Sequence, residues 1–191
     1  MYGIILSNKV IHSIKLLKKP GMILKLDLSK AFDKLSWEYI HQILLAFGFN
    51  ATWTRLIMNL ITSPCFSVLL NGSPSVPFRP FRGIHQGDPL SPFLFVLMVE
   101  GLSRLLHSAI SSHTLKGISL HGLHPLSHQH FVEETMLFGH PYSQEAKAFK
   151  ALLSLFSEAS GTSMNASKSQ LFFFIPLPQL KGTSLELWDS L

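Results

Sequence analysis

Carboxylates stand at two places in this chain where their charge needs an explanation. An apolar, strand-like run over residues 22–26 ends in Asp27, and Asp33 follows six residues later with Phe32 beside it. A carboxylate at the end of a buried strand is costly unless something cationic sits against it. Mg²⁺ meets that need, because it takes oxygen ligands and usually bridges a protein to phosphates. A capping or surface aspartate meets it too, since Asp-x-Ser ahead of a helix is common. Residues 22–33 alone leave both open. The second place is Glu133-Glu134, in a turn flanked by the extended residues of 126–138. Two adjacent acids in an apolar hairpin raise the same question, with a solvated turn as the plain alternative.

A third stretch offers backbone chemistry. Arg82-Gly-Ile-His-Gln-Gly-Asp-Pro-Leu-Ser-Pro92 combines two glycines, a polar run and a Ser-Pro helix start, so it reads as a loop feeding a helix N-terminus. Such a junction presents free backbone N–H groups that suit phosphate; an ordinary capped loop has the same composition. His121, His124, His128 and His130 lie close in sequence, but no cysteine is near them and their spacing matches no structural zinc pattern.

The elements that must position these groups follow from periodicity. Ile4, Ile5, Val10, Ile11, Ile14 and Leu17 recur near helical spacing, Lys15, Lys18 and Lys19 crowd the last turn, and Pro20-Gly21 stops the helix. It reads as a packing helix, with a basic contact to nucleic acid as the other use of its lysines. After the Asp27 strand, Ser36 caps a helix that runs to about Phe47 and ends at Gly48, with Leu35 and Ile40 as a hydrophobic staple. Another helix spans residues 51–62. Residues 66–70 then alternate, Asn71-Gly72 marks a hairpin, and the returning arm over 76–81 carries Pro77 and Pro80, which confine it to an edge. The helix from Phe93 to about Ser112 is apolar nearly all round and is expected to be the most buried, with Glu100 and Arg104 paired within it. A short strand at 117–120 leads into the Glu133-Glu134 hairpin. A helix capped by Ser143 and ended by Gly161, a polar loop over 162–170 and a strand over 171–175 complete the order.

Composition narrows the class. With 47% hydrophobic and 14% charged residues over 191 positions, the chain is globular and long enough for one domain with its own core. Sixteen Lys and Arg against eleven Asp and Glu give +5, a mild excess that is compatible with a polyanion partner and weak evidence for one. The single Cys65 excludes an internal disulfide and fits a reducing compartment. No signal-peptide pattern opens the chain, and the most apolar stretch, 92–106, is interrupted by Glu100 and Arg104 and is short for a bilayer. An intracellular site, nuclear or cytoplasmic, is the expectation.

Taken together, Lys25-Leu-Asp-Leu-Ser-Lys-Ala-Phe-Asp33, the Arg82–Pro92 loop, Phe131-Val-Glu-Glu134 and Ser160-Gly-Thr-Ser-Met-Asn-Ala-Ser-Lys-Ser169 resemble the ordered palm motifs of a reverse transcriptase. The nearest likeness is to the enzymes of non-LTR, LINE-type retrotransposons, particularly of plants. The Arg-Gly-x-x-Gln-Gly-Asp-Pro-Leu-Ser-Pro string is far more specific than any single aspartate. The resemblance covers residues 1–175 and implies an α+β fold, a polymerase palm whose antiparallel sheet packs against helices, with part of the fingers. Residues 176–191 read as a tail where the primer grip and thumb would follow, and the fingers strands that hold the triphosphate would precede residue 1.

The resemblance also implies roles. Asp27, Glu133 and Glu134 occupy the metal-binding positions of an RNA-directed DNA polymerase, with Mg²⁺ as cofactor and an RNA template, a DNA primer and dNTP as partners. Phe32 occupies the position of the steric gate against a 2′-hydroxyl. Gln86 and Gly87 match contacts to nucleotide and template, and Lys168 matches the lysine that protonates the leaving pyrophosphate. One departure stands out: the family hairpin carries Ala-Asp-Asp where this chain has Val132-Glu133-Glu134. Charge is kept, but each acid is a methylene longer. Mg²⁺ demands near-ideal octahedral geometry, and a misplacement of about 1 Å can cost roughly a hundredfold in rate. The expectation is a reverse transcriptase fragment that is inactive as an isolated chain. A domesticated, non-catalytic nucleic-acid-binding or interaction module is the alternative.

Overall fold

A computed structural model describes residues 2–16, 20–119, 124–131 and 134–174, with side chains from residue 8 onward. Its centre is strand β1 (Gly21–Ser29). The alternation of this segment sends Met22, Leu24, Leu26 and Leu28 to one face, where all four are buried. β1 is the middle of an antiparallel sheet. Along one edge it pairs with β5 (Glu134–Gly139), in a register that sets Met22 opposite Gly139 and Asp27 opposite Glu134. β4 (His128–Phe131) pairs with the far side of β5. Along the other edge, β7 (Gln170–Phe174) pairs with residues 21–25, and β6 (Ser163–Met164) with Leu28 and Ser29.

The helices are α1 (Tyr2–Leu16), α2 (Ala31–Lys34), α3 (Trp37–Ala46), α4 (Ala51–Thr62), α5 (Ser91–Ser111) and α6 (Ser143–Ser160). Helices α3, α5 and α6 cover the Leu24–Leu26 face and share one core with it, including Leu44, Met98, Leu102, Phe149 and Phe156. Gly101 lets α3 come close: a Cβ there would collide with the Tyr39 hydroxyl. Helix α1 packs on the opposite face, where Val10 and Ile14 meet Ile23 and Phe138 in a smaller cluster. It covers the end of that face near Gly21 and leaves the Asp27 end open. This is the α+β, palm-like arrangement expected from the motifs.

Several local expectations hold. Ser36 caps α3 by accepting from the Tyr39 amide, and α4 has the expected bounds. Asn71 and Gly72, at φ 50° and 84°, turn a small separate hairpin of Leu69–Leu70 and Ser73–Pro74. Glu100 and Arg104 pair at 3.7 Å, and α5 buries eight of its 21 residues against six of 18 in α6.

Others are corrected. α5 is not buried all round: Phe93 and Val96 are 69% and 64% exposed, because the sheet covers only one side of the helix. At 21 residues it is long and apolar enough in composition to cross a membrane. Its Leu94, Met98, Leu102 and Leu106 stripe, however, is committed to the core. Ser143 does not cap α6; it is the first helical residue. No side chain caps that helix; buried Glu145 in its first turn instead ties neighbouring segments to it, its carboxylate accepting from the Lys116, Gly117 and His140 amides at 3.0, 3.1 and 2.9 Å. The expected strand at 117–120 is reduced to one bridge, Ile118 with Leu126, and the proline-bearing arm to another, Phe66 with Phe78. The polar loop after α6 contains β6, which was not anticipated. Glu133, His121 and the tail over 176–191 lie outside the described residues.

Candidate functional site

Directly opposed residues of antiparallel strands put their side chains on the same face. The Asp27–Glu134 pair therefore places two carboxylates side by side on the open end of the sheet. Lys25, two residues before Asp27, shares that face. Its ammonium lies 2.7 Å from Glu134 Oε1, with the two side chains 29% and 45% exposed. Among the described residues the Asp27 carboxylate has neither an ion pair nor a hydrogen bond. Two hard oxygen donors face each other here, one half-buried and unpartnered. Mg²⁺ is typically held by one or two carboxylates together with substrate phosphates and water, so the donor set fits a divalent cation. No group of three or more metal-ligating side chains gathers among the described residues; Glu133, which precedes Glu134 in the chain, is not one of them.

The backbone of Asp27 is held by a turn from the Ser160–Ser169 motif. On the β6/β7 edge the ladder breaks opposite Asp27, and the 165–169 turn fills the break. The Asn165 amide donates to Asp27 O at 2.8 Å. The Asp27 amide in turn donates to Ser169 Oγ at 3.3 Å, and that hydroxyl donates to Asn165 O at 2.8 Å. Lys168 belongs to this turn, its own amide donating to Asn165 O at 3.2 Å. The Glu134 strand on one edge and the Lys168 turn on the other are thus fastened at one backbone position.

The Arg82–Pro92 loop is fastened from the other side. Gly83 and Ile84 amides donate to Leu35 O and Phe32 O, both at 2.8 Å. The Trp37 indole donates to Gly83 O at 2.6 Å, and the Ser91 hydroxyl to His85 O at 2.6 Å. Gly83 sits at φ +84°, and a Cβ there would lie 2.6 Å from Asp33 O, so this crossing of two segments admits only glycine. Phe32 is half-buried and stacked flat on Phe95, with ring centroids 4.7 Å apart and 1° between the planes. Gln86 Nε2 reaches Asp33 Oδ1 at 3.5 Å. Gly87, at φ +94°, has open space around it. A cleft of about 470 Å³ opens beside them, lined by Asp33, Phe66, Phe78, Arg82, His85 and Gln86 among others.

Of the residues singled out from the sequence, the fold brings Asp27, Glu134 and the Lys168 turn to one end of the sheet. Phe32, Gln86 and Gly87 belong to the segment crossing next to it. Lys25, Asn165, Ser169 and Trp37 were not anticipated as parts of the site. Lys25 left a signal, a charged residue at the same strand phase as Asp27, and Asn165 and Ser169 left theirs by lying in the Ser160–Ser169 motif.

The sheet's histidines are a different matter. His128 and His130 alternate onto the core side. There His128 bonds Ser103 and Ser127, each at 2.8 Å, and His130 Nδ1 bonds Thr135 at 2.8 Å. Burial, with His107 adding repulsion, lowers His128 to about 4. Burial, with His128 adding repulsion, lowers His130 to about 4. Both are neutral packing groups at pH 7.

Comparison with known proteins adds four findings. A family model described as reverse transcriptase (RNA-dependent DNA polymerase) matches residues 2–186. The chain is 41% identical over 90 residues to the Pol polyprotein of the type-2 retrotransposable element R2DM of Drosophila melanogaster, a match covering 47% of this chain and 8% of that one. It is also 41% identical over 68 residues to an uncharacterised mitochondrial protein of Arabidopsis thaliana, covering 35% of this chain and 56% of that one. Among solved structures, telomerase from Candida albicans superposes with a TM-score of 0.67 at 14% identity, over 90% of this chain and 30% of the telomerase, which is a likeness of fold. The chain therefore spans only part of each.

Proposed function

The chain belongs to the reverse transcriptase family, and from that premise we propose that it supplies the palm of an RNA-directed DNA polymerase from a non-LTR retroelement. The observation that carries this reading is the cross-strand pair of Asp27 and Glu134 on an open sheet end, with the Lys168 turn bonded to Asp27. Reverse transcriptases use divalent metal ions; here the proposed ion is Mg²⁺, held by Asp27 with Glu134 and Glu133. Such ions stabilise the attacking and leaving oxygens of an in-line displacement.

The chain's own residues then divide the remaining work. Asp27 and the glutamates would hold the divalent ion that bridges the protein to the triphosphate. Phe32, braced by Phe95, sets the floor beneath the incoming sugar and excludes a 2′-hydroxyl. Gln86 and Gly87 border the nucleotide and template. Lys168 delivers a proton to the leaving pyrophosphate. RNA template, DNA primer and dNTP are the proposed partners, in an intracellular compartment away from membranes.

We further propose that the isolated chain does not extend a primer. Glu134 is a methylene longer than the family's aspartate and is engaged by Lys25. Correct positioning carries much of the rate in such a reaction, so a displaced ligand alone is expected to be severe. The test is primer extension on an RNA template with Mg²⁺, using Asp27→Ala as control. No synthesis is expected, and Glu133→Asp with Glu134→Asp should not restore it. Synthesis by the unmodified chain that Asp27→Ala abolishes would overturn the inactivity.

A further inference from the structure

The open end of the sheet already holds a cation of its own. Lys25 Nζ sits 2.7 Å from Glu134 Oε1, although Lys25 faces Met136 in the register and Glu134 faces Asp27. The ion pair is thus diagonal, reaching along the sheet and away from Asp27. Two carboxylates directly opposed on neighbouring strands repel each other. The diagonal bridge relieves that repulsion by turning Glu134 toward Lys25, and it leaves Asp27 without a partner among the described residues.

Resting on the proposed metal-binding reading, we propose that Lys25 is a built-in competitor of the divalent cation. In the metal-free chain its ammonium holds Glu134 Oε1. Glu134 joins Asp27 on a metal only when that ammonium is displaced. Side-chain length supports the assignment: an aspartate at 134 would draw the carboxylate back by about one carbon–carbon bond, roughly 1.5 Å, toward the limit of an ion pair with Lys25. Glutamate at this position both lengthens the ligand and puts it within the lysine's reach. Lys25 is therefore a positioning residue, acting through Glu134, that sets how strongly this end of the sheet takes a divalent ion.

The test uses the full chain and Mn²⁺ alone, followed by loss of the free-ion electron paramagnetic resonance signal. The unmodified chain is compared with Lys25→Met, Lys25→Arg and Asp27→Asn. Removing one positive charge within a few ångströms of a divalent site is expected to tighten binding about tenfold in Lys25→Met. Lys25→Arg, which keeps the bridge, should bind like the unmodified chain. Asp27→Asn should bind least. Thermal melting without metal gives an independent readout: Lys25→Met should melt lower than the unmodified chain and recover with Mn²⁺. If Lys25→Met fails to fold, Lys25→Gln takes its place. Equal affinity of Lys25→Met and the unmodified chain, with binding lost in Asp27→Asn, overturns the competitor role and leaves the metal site standing. Absence of binding in every form, or binding indifferent to Asp27→Asn, overturns the metal site and the competitor with it.

Discussion

Strand β5 has a carboxylate at each end, and the two are held in opposite ways. Past its C-terminal end, Glu145 is 5% exposed and accepts three backbone N–H bonds, so its capacity is filled by the chain itself. At its N-terminal end, Glu134 is half-exposed and has one side-chain partner among the described residues, a lysine that can swing away. Glu145 stitches three segments together: the loop after α5, the end of β5 and the start of α6. Glu134 closes nothing. A saturated, buried carboxylate is a structural part, whereas an open and weakly neutralised one facing a second carboxylate is available for chemistry.

The largest expected effect breaks the saturated end. Glu145→Ala strands three backbone donors, at least one of them fully buried. It should cost on the order of 3–4 kcal/mol, a fall in melting temperature of roughly 10 °C for a chain of this size. Glu134→Ala should change stability by less than about 0.5 kcal/mol, because half-exposed ion pairs are worth little. Thermal or urea melts of the two variants decide it; equal losses would erase the distinction.

A second effect extends the contrast to the two faces of the hairpin. His128 and His130 face the core and have values lowered to about 4 from 6.5, so the unfolded chain binds more protons than the folded one between those limits. Stability is therefore unaffected by these groups above pH 6.5, declines as pH falls toward 4, and changes no further below it. Urea midpoints measured from pH 7 to 4 should shift less in a His128→Asn, His130→Gln variant.

The smallest effect sharpens the open end. Ser169→Ala removes the hydroxyl that bridges the Asp27 amide to Asn165 O. It should cost about 1 kcal/mol, felt locally as faster hydrogen exchange at the Asp27 and Lys168 amides. Unchanged exchange there would show that the Asn165–Asp27 bond alone fastens the turn.

Much of this was legible in the residues. The alternation of β1, the caps at Ser36 and Gly161, the Asn71-Gly72 turn and the bounds of α4 are local, set by side-chain periodicity and backbone preference within a few positions. The four acidic, glycine-rich and lysine-bearing motifs identified the family because each is specific in composition and order. What failed was long-range. Nothing near Glu145 in sequence announces that its carboxylate will close on Lys116 and Gly117, and the serine ahead of it was the more obvious cap. The two-residue strand β6 is too short to show a period at all.

The sequence by itself marked which residues are candidates for chemistry and placed two of them near the ends of strands, although β1 runs on past Asp27 to Ser29. Only the tertiary structure decided that Asp27 stands opposite Glu134, that Lys25 reaches diagonally to Glu134, and that the Lys168 turn hangs from the Asp27 backbone. Each of these is a matter of register between segments more than a hundred residues apart. Register is set by which faces must be buried together, and a slip of one residue would send Asp27 to the core side. That constraint belongs to the whole sheet and its helices, and no local stretch of the chain contains it.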